Sequence, residues 1–177
     1  MRAFLAVPVP KSAKGAVSAL IPALAGGSLK IVRPENYHLT LKFLGEKGDG
    51  EINQIKEALT YQTKKFTAAL SGLGAFPSPQ HIRVIWAGIG EGKEQYIRLQ
   101  KETDTLLAPL QIRQERDYVP HLTIARVKTI TDKQALQNFL QTRLTSPQFQ
   151  IDSIHMMMSE LTPQGPIYTK LFSIPLP

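Results

Sequence analysis

Apolar and polar positions divide this chain into short alternating segments and longer helical ones, with prolines and glycines as punctuation between them. Ala3 to Val9 is an unbroken apolar run of the kind that fills a buried strand, and Lys11 to Leu24 has helical spacing until Gly26-Gly27 stops it. Tyr37 to Leu44 alternates. Period-two geometry sets His38, Thr40 and Lys42 on one face and Leu39, Leu41 and Phe43 on the other, as far as Gly45. Helical spacing returns over Glu51 to Gln62 through Ile52, Ile55 and Leu59. Phe66 to Leu73 and His81 to Gly88 read as strands around a Pro77-Ser78-Pro79 turn.

The second half runs through the same kinds of element. A helix spans Glu94 to Leu107, a strand His121 to Val127 and a helix Asp132 to Arg143, with closing strands over Phe149 to Ser159 and Tyr168 to Ile174. A four-residue motif marks the duplication: His38-Leu39-Thr40-Leu41 returns 83 positions later as His121-Leu122-Thr123-Ile124, each copy opening a strand. This order predicts an α+β fold with two pseudo-symmetric lobes, each an antiparallel sheet with helices, around a central cleft. The lobes are expected at roughly 1–88 and 89–177 of a single domain, with room for strands to exchange between them.

Composition narrows the chemistry. An apolar fraction of 42% and a charged fraction of 20% over 177 residues are those of an ordinary folded domain and argue against wholesale disorder. Zero cysteines exclude disulfides, thiolate metal sites and cysteine nucleophiles, and fit a reducing compartment. The N-terminal apolar run is too short for a signal sequence and no stretch is long enough to span a membrane, so the expected location is cytoplasmic. A formal charge of +7 favours polyanionic partners.

The repeated motif carries a specific chemistry. Side chains at i and i+2 of a strand point the same way, so each copy aims one imidazole and one hydroxyl into the same space. Hydroxyls donate to phosphate oxygens, and two imidazoles can flank one phosphorus atom, one as acid and one as base, because histidine exchanges protons near pH 6.5. No metal or cofactor is needed for such a reaction. His81 and His155 lack partners at metal-ligand spacing and read as structural. Gly88 to Lys93 lacks the first Walker glycine, where Ala87 stands, and is followed by Glu94, so it reads as a turn. Met156-Met157-Met158 reads as core or sheet packing.

These residues resemble the 2H phosphoesterase superfamily, and the surrounding segments resemble its RNA 2′,3′-cyclic phosphodiesterase branch, also called 2′-5′ RNA ligase-like. The similarity runs through Arg33-Pro34-Glu35-Asn36, His38 to Gly45, Arg83 to Gly88, Pro120 to Val127, and the closing Ser159-Glu160-Leu161 and Gly165-Pro166-Ile167-Tyr168. The resemblance implies a bilobal fold and hydrolysis of a terminal 2′,3′-cyclic phosphate on RNA, for example on tRNA halves, to a 2′-phosphomonoester. It implies His38 as proton donor, His121 as proton acceptor, Thr40 and Thr123 on the phosphate, and Arg126 assisting them, with Tyr168 and Phe43 as substrate contacts.

Two features depart from that expectation. Arg126 lies five residues after His121, which in a regular strand sets it on the opposite face, so its role demands a bulge or a strand end. Ile31 stands where relatives carry tryptophan. Phe43, by its parity, reads also as a core residue. The alternative readings are reversible 2′-5′ RNA joining, hydrolysis of a small cyclic nucleotide, and a non-catalytic RNA-binding module. A monomer with RNA ends as its partner is expected.

Overall fold

The computed structural model describes residues 1–177. Its elements in chain order are β1 (Arg2–Pro8), α1 (Lys11–Ser18), β2 (Gly27–Ile31), β3 (His38–Glu46), α2 (Asp49–Ala58), β4 (Phe66–Ala68), β5 (Leu70–Ser78), β6 (His81–Ile89), α3 (Lys93–Leu107), β7 (His121–Ile130), α4 (Lys133–Leu140), β8 (Phe149–Ile151), β9 (Ser153–Thr162) and β10 (Gly165–Pro175). Two four-stranded sheets run in the orders β10-β9-β1-β3 and β2-β7-β6-β5, and β4 pairs with β8. Every pairing is antiparallel. The fold is therefore mixed α+β with two four-stranded sheets, each of which contains one His-x-Thr strand, and a small two-stranded sheet.

The sheets do not divide the chain at residue 88. The first joins β1 and β3 to the last two strands, and the second joins β2, β5 and β6 to β7. Within each sheet the motif strand pairs with an apolar strand, β1 or β6, which pairs in turn with a third, β9 or β5. One contiguous cluster of 37 buried residues draws on both sheets, so the two halves share a core.

Several boundaries differ from the sequence pattern for local reasons. The helix expected over Glu51 to Gln62 ends at Ala58. Beyond it Glu102 of α3 accepts from the backbone N–H groups of Gln62 and Thr63, at 2.5 and 3.1 Å, which a continuing helix would use internally. Tyr61 then turns inward and meets Thr103 Oγ1 at 2.9 Å. The helix expected to reach Leu24 closes at Ser18 and gives way to a 3-10 turn over Ile21–Ala23. β2 has no counterpart in the periodicity because it is only five residues long and mostly solvent-facing. The expected strand from Phe66 to Leu73 is two strands in different sheets, as is the one from Phe149 to Ser159.

Helix α3 packs behind β3 through Tyr96, Leu99, Gln100, Thr103, Asp104 and Leu107, a stripe at helical spacing that includes polar members. Lys42, expected on the His38 face, instead enters this interior and lies 2.6 Å from Asp104 Oδ1, with only 1% of its side chain exposed. Its Nζ also donates to the Arg113 carbonyl. Asp104 Oδ2 accepts from Gln100 Nε2 and from the Glu115 N–H, both at 2.9 Å. The Tyr96 hydroxyl donates to the Leu39 carbonyl at 3.0 Å and the Tyr118 hydroxyl to the Thr40 carbonyl at 2.6 Å. The first motif strand is thus bound to α3 and to the loop that leads into the second motif.

A buried pair whose remaining bonds are satisfied is costly to break from one side. Asp104→Ala is expected to lower the unfolding free energy by about 3–5 kcal/mol, because buried Lys42 loses its carboxylate partner and keeps only the Arg113 carbonyl and the distant Glu115. The double variant Lys42→Met/Asp104→Leu should recover most of that loss. Chemical denaturation of the three proteins checks this, and a loss below about 1 kcal/mol for the single variant, the level of an exposed pair, would refute it.

Candidate active site

Both motif strands carry a one-residue bulge at the same place. Across β1, Ala6 faces Thr40 but Leu5 faces Lys42. Across β6, Trp86 faces Thr123 but Ile85 faces Ala125. At such a bulge two consecutive side chains oppose a single partner, and the alternation restarts one residue late. Leu41 and Lys42 therefore both turn inward, as do Ile124 and Ala125, and all four are at most 2% exposed. Beyond the bulge the phase is reversed.

The reversal decides where two expected site residues lie. Arg126 pairs with Val84, two residues along β6 from Trp86, and so shares the face of His121 and Thr123. The parity objection is removed by the bulge. Phe43 pairs with Phe4, two residues along β1 from Ala6, and shares the face of His38 and Thr40. It is 64% exposed, so the core position read from strict alternation is corrected. Phe43 and Arg126 occupy the same place in the two repeats.

Each imidazole is anchored the same way. His38 Nδ1 is 2.7 Å from the Asn36 carbonyl, and His121 Nδ1 is 2.8 Å from the Val119 carbonyl. A carbonyl only accepts, so Nδ1 carries the proton in both rings and Nε2 is left as the free nitrogen. Asn36 is placed by a 3-10 turn over Pro34–Asn36, and its side chain donates to the Pro166 carbonyl of the β9–β10 hairpin at 3.3 Å. Aromatic rings hold the imidazoles on either side. Phe4 and Tyr168 lie 5.0 and 5.1 Å from His38, and Phe76 and Trp86 lie 4.8 and 6.1 Å from His121. Gly74 is required here, since a Cβ at that position would stand 2.2 Å from the Trp86 ring.

The two sheets present these groups to each other. Strands β3 and β7, one from each sheet, are in contact. Burial pushes the His38 pKa down against the Asn36 bond, which raises it, and charge on Lys14 and on His121 adds to the lowering. Burial likewise pushes His121 down, and the Arg126 guanidinium adds to it. Tyr168 is raised by burial and lowered by Arg126 and Arg2, so groups of one sheet act on groups of the other. The free protein favours two neutral imidazoles, and an anion between them opposes that preference.

His155, read as structural, lies on the His38 face of the same sheet, across from Ala6. It lines a cavity of about 200 Å³ with Lys14, Asn36, Tyr37, His38 and Tyr168. The sequence offers no repeat or spacing that marks it. Ile31 pairs with Ala125 and so lies on the face away from His121. Gly88 to Lys93 is the junction of β6 and α3, with Gly92 at φ +78 as the N-cap. No group of three or more His, Asp or Glu side chains is placed to hold a metal ion, and no helix is long and apolar enough to cross a membrane.

Comparisons with known proteins agree on one family. The sequence profile described as LigT like Phosphoesterase matches residues 7–86 and 89–168. An RNA 2′,3′-cyclic phosphodiesterase of Methanothermobacter thermautotrophicus is 36% identical over 97% of this chain and 96% of its own. One of Methanocaldococcus jannaschii is 36% identical over 95% and 96%. A crystal structure of a protein from Thermus thermophilus superposes with a TM-score of 0.79 at 27% identity, covering 99% of this chain and 98% of the other.

The charge relation between Arg126 and His121 has a direct consequence. Since burial and then the guanidinium depress the His121 pKa, Arg126→Ala is expected to raise it, while His38 moves less. NMR titration of the two imidazoles reads both values. A His121 value that stays put or falls would show that Arg126 points elsewhere.

Proposed function

The chain belongs to the LigT-like phosphoesterase family, and on that footing we propose that it is an RNA 2′,3′-cyclic phosphodiesterase that opens terminal cyclic phosphates to 2′-phosphomonoesters. The observation that carries this reading is the matched pair of imidazoles. Each is pinned through Nδ1 to the carbonyl two residues before it, each leaves Nε2 free, and the two lie within electrostatic reach of one another.

The reaction follows from those nitrogens. Water attacks phosphorus as His121 Nε2 takes its proton, and the bond from phosphorus to O3′ breaks as His38 Nε2 supplies a proton to that oxygen. One water is consumed, the 2′ oxygen keeps the phosphate, and solvent exchange resets the rings. The donor and acceptor roles follow the family resemblance, since the geometry offers the same nitrogen from either side. Thr40 and Thr123 share the faces of the two histidines, where their hydroxyls can donate to the non-bridging oxygens. Arg126, on the same face of β7 as His121 and Thr123, offsets the charge that gathers there. Tyr168 flanks the nucleoside, and Phe43 contacts the RNA beyond it. RNA ends such as tRNA halves are the substrate, and a monomer in the cytoplasm is the setting.

Three outcomes are expected. Purified protein should convert a cyclic-phosphate oligonucleotide to the 2′-phosphate at an unchanged rate in excess EDTA, and His38→Ala and His121→Ala should each slow it by about 10²–10⁴-fold. Product mass shows the gain of one water, ³¹P NMR against 2′- and 3′-phosphate standards shows which oxygen keeps the phosphate, and full activity in both variants would refute the assignment. A substrate with sulfur at the 3′ bridging position, whose leaving group needs no proton, should rescue His38→Ala and leave His121→Ala slow; the reverse result would exchange the two roles. The pH dependence has a worked sign. The base must be neutral and the acid protonated, and both pKa values lie below the ordinary imidazole value. The kcat/KM optimum therefore falls on the acid side of about 6.5. An optimum above that value contradicts the burial of the rings.

A further inference from the structure

A second groove, which the reaction itself does not use, lies at the far end of β3 from His38. The groove is open and holds about 620 Å³, within the roughly 300–1,000 Å³ of small-molecule sites. It runs along the end of β3, which is an edge strand, and is lined by Phe43, Lys47, Arg113, Gln114 and Arg116. Phe43 joins it to the active site, since its ring lies 6.2 Å from Phe4, which lies 5.0 Å from His38.

The lining has the chemistry of a nucleic-acid track. Phe43 offers a large apolar ring to solvent on a wall that also carries Leu44, Ile112 and the polar side chains of the 111–116 loop. Arg113 and Arg116 are exposed and neither takes part in an ion pair, while Lys47 is paired with Glu51 at 2.9 Å. Glu115, the single carboxylate of the lining, is turned toward Lys42, 4.0 Å away. The wall is also held in place. The Arg113 carbonyl accepts from buried Lys42, and the Glu115 N–H donates to buried Asp104. Two free guanidiniums therefore stand on a backbone whose position is set before any ligand arrives, which reduces the ordering cost of binding.

A 2′,3′-cyclic phosphate occupies both ribose oxygens at the 3′ end, so the rest of an RNA chain can leave the site only in the 5′ direction. We propose that this groove receives the nucleotides 5′ of the cyclic phosphate, one base stacked on Phe43 and the phosphates beside Arg113 and Arg116. The enzyme accordingly prefers oligonucleotide ends to cyclic mononucleotides. This rests on the phosphodiesterase reading above and names its substrate class as single-stranded RNA. Stacking and cationic side chains together are how proteins hold single strands without reading their sequence.

The test compares a 2′,3′-cyclic mononucleotide with a hexanucleotide ending in the same nucleotide and cyclic phosphate. Arg113→Ala/Arg116→Ala should lower kcat/KM for the hexamer about tenfold and leave the mononucleotide within about twofold of wild type. In the same variant the slope of log KM against log salt for the hexamer should flatten by about 1.4, near 0.7 for each lost phosphate contact on a single strand. Phe43→Ala should weaken the hexamer with no change of salt slope, and Phe43→Trp should restore it. Equal losses on both substrates, or an unchanged hexamer rate and slope in the double variant, overturn the groove. If wild type turns over neither substrate, the phosphodiesterase reading fails and the groove falls with it. If wild type turns over both equally, only the groove falls.

Discussion

The bulge after each His-x-Thr triplet constrains both sides of the motif strands at once. Without it, Lys42 would follow Thr40 into the cleft and Phe43 and Arg126 would turn toward the core, where a guanidinium without a partner is costly to bury. With it, two consecutive side chains enter the interior, Leu41 with Lys42 and Ile124 with Ala125, and the sixth residue of each motif returns to the cleft. The aliphatic fourth position belongs to this device. It is fully buried in both copies, and burying such a side chain contributes about 1.5–3 kcal/mol.

The same displacement explains why a lysine lies in the core. Lys42 is held by Asp104 and the Arg113 carbonyl, and Asp104 holds the backbone at Glu115. A buried pair of this kind adds little net stability over an apolar substitute but fixes one arrangement. Here that arrangement links β3, α3 and the loop preceding β7, so one network ties the first motif strand to the segment that leads into the second. The Tyr96 and Tyr118 hydroxyls bind the carbonyls of Leu39 and Thr40, on either side of the same stretch.

Electrostatics in the cleft leave it ready for an anion. Burial depresses both imidazoles, and Lys14 and Arg126 deepen the effect, so in the free protein positive charge already stands near rings that resist protonation. A phosphate placed between them reverses the balance and favours a protonated ring where an acid is needed.

Some of this was legible in the residues alone. The repeated His-x-Thr motif, the period-two strand around it and the helical stripes of α3 and α4 are local patterns, and local patterns fix which elements form and which side chains share a face over three or four residues. The α+β class and the pair of histidines and threonines follow from that. Tertiary structure decided the rest. Whether a strand keeps its alternation past the fourth residue depends on the register of its neighbour, which places Lys42 inside and Phe43 and Arg126 in the cleft. Which strands share a sheet depends on contacts between residues far apart in the chain, so β9 and β10 lie beside β1 and bring Tyr168 and His155 to His38. Period and composition speak only of a residue's own segment, and these placements are set by the segment across from it.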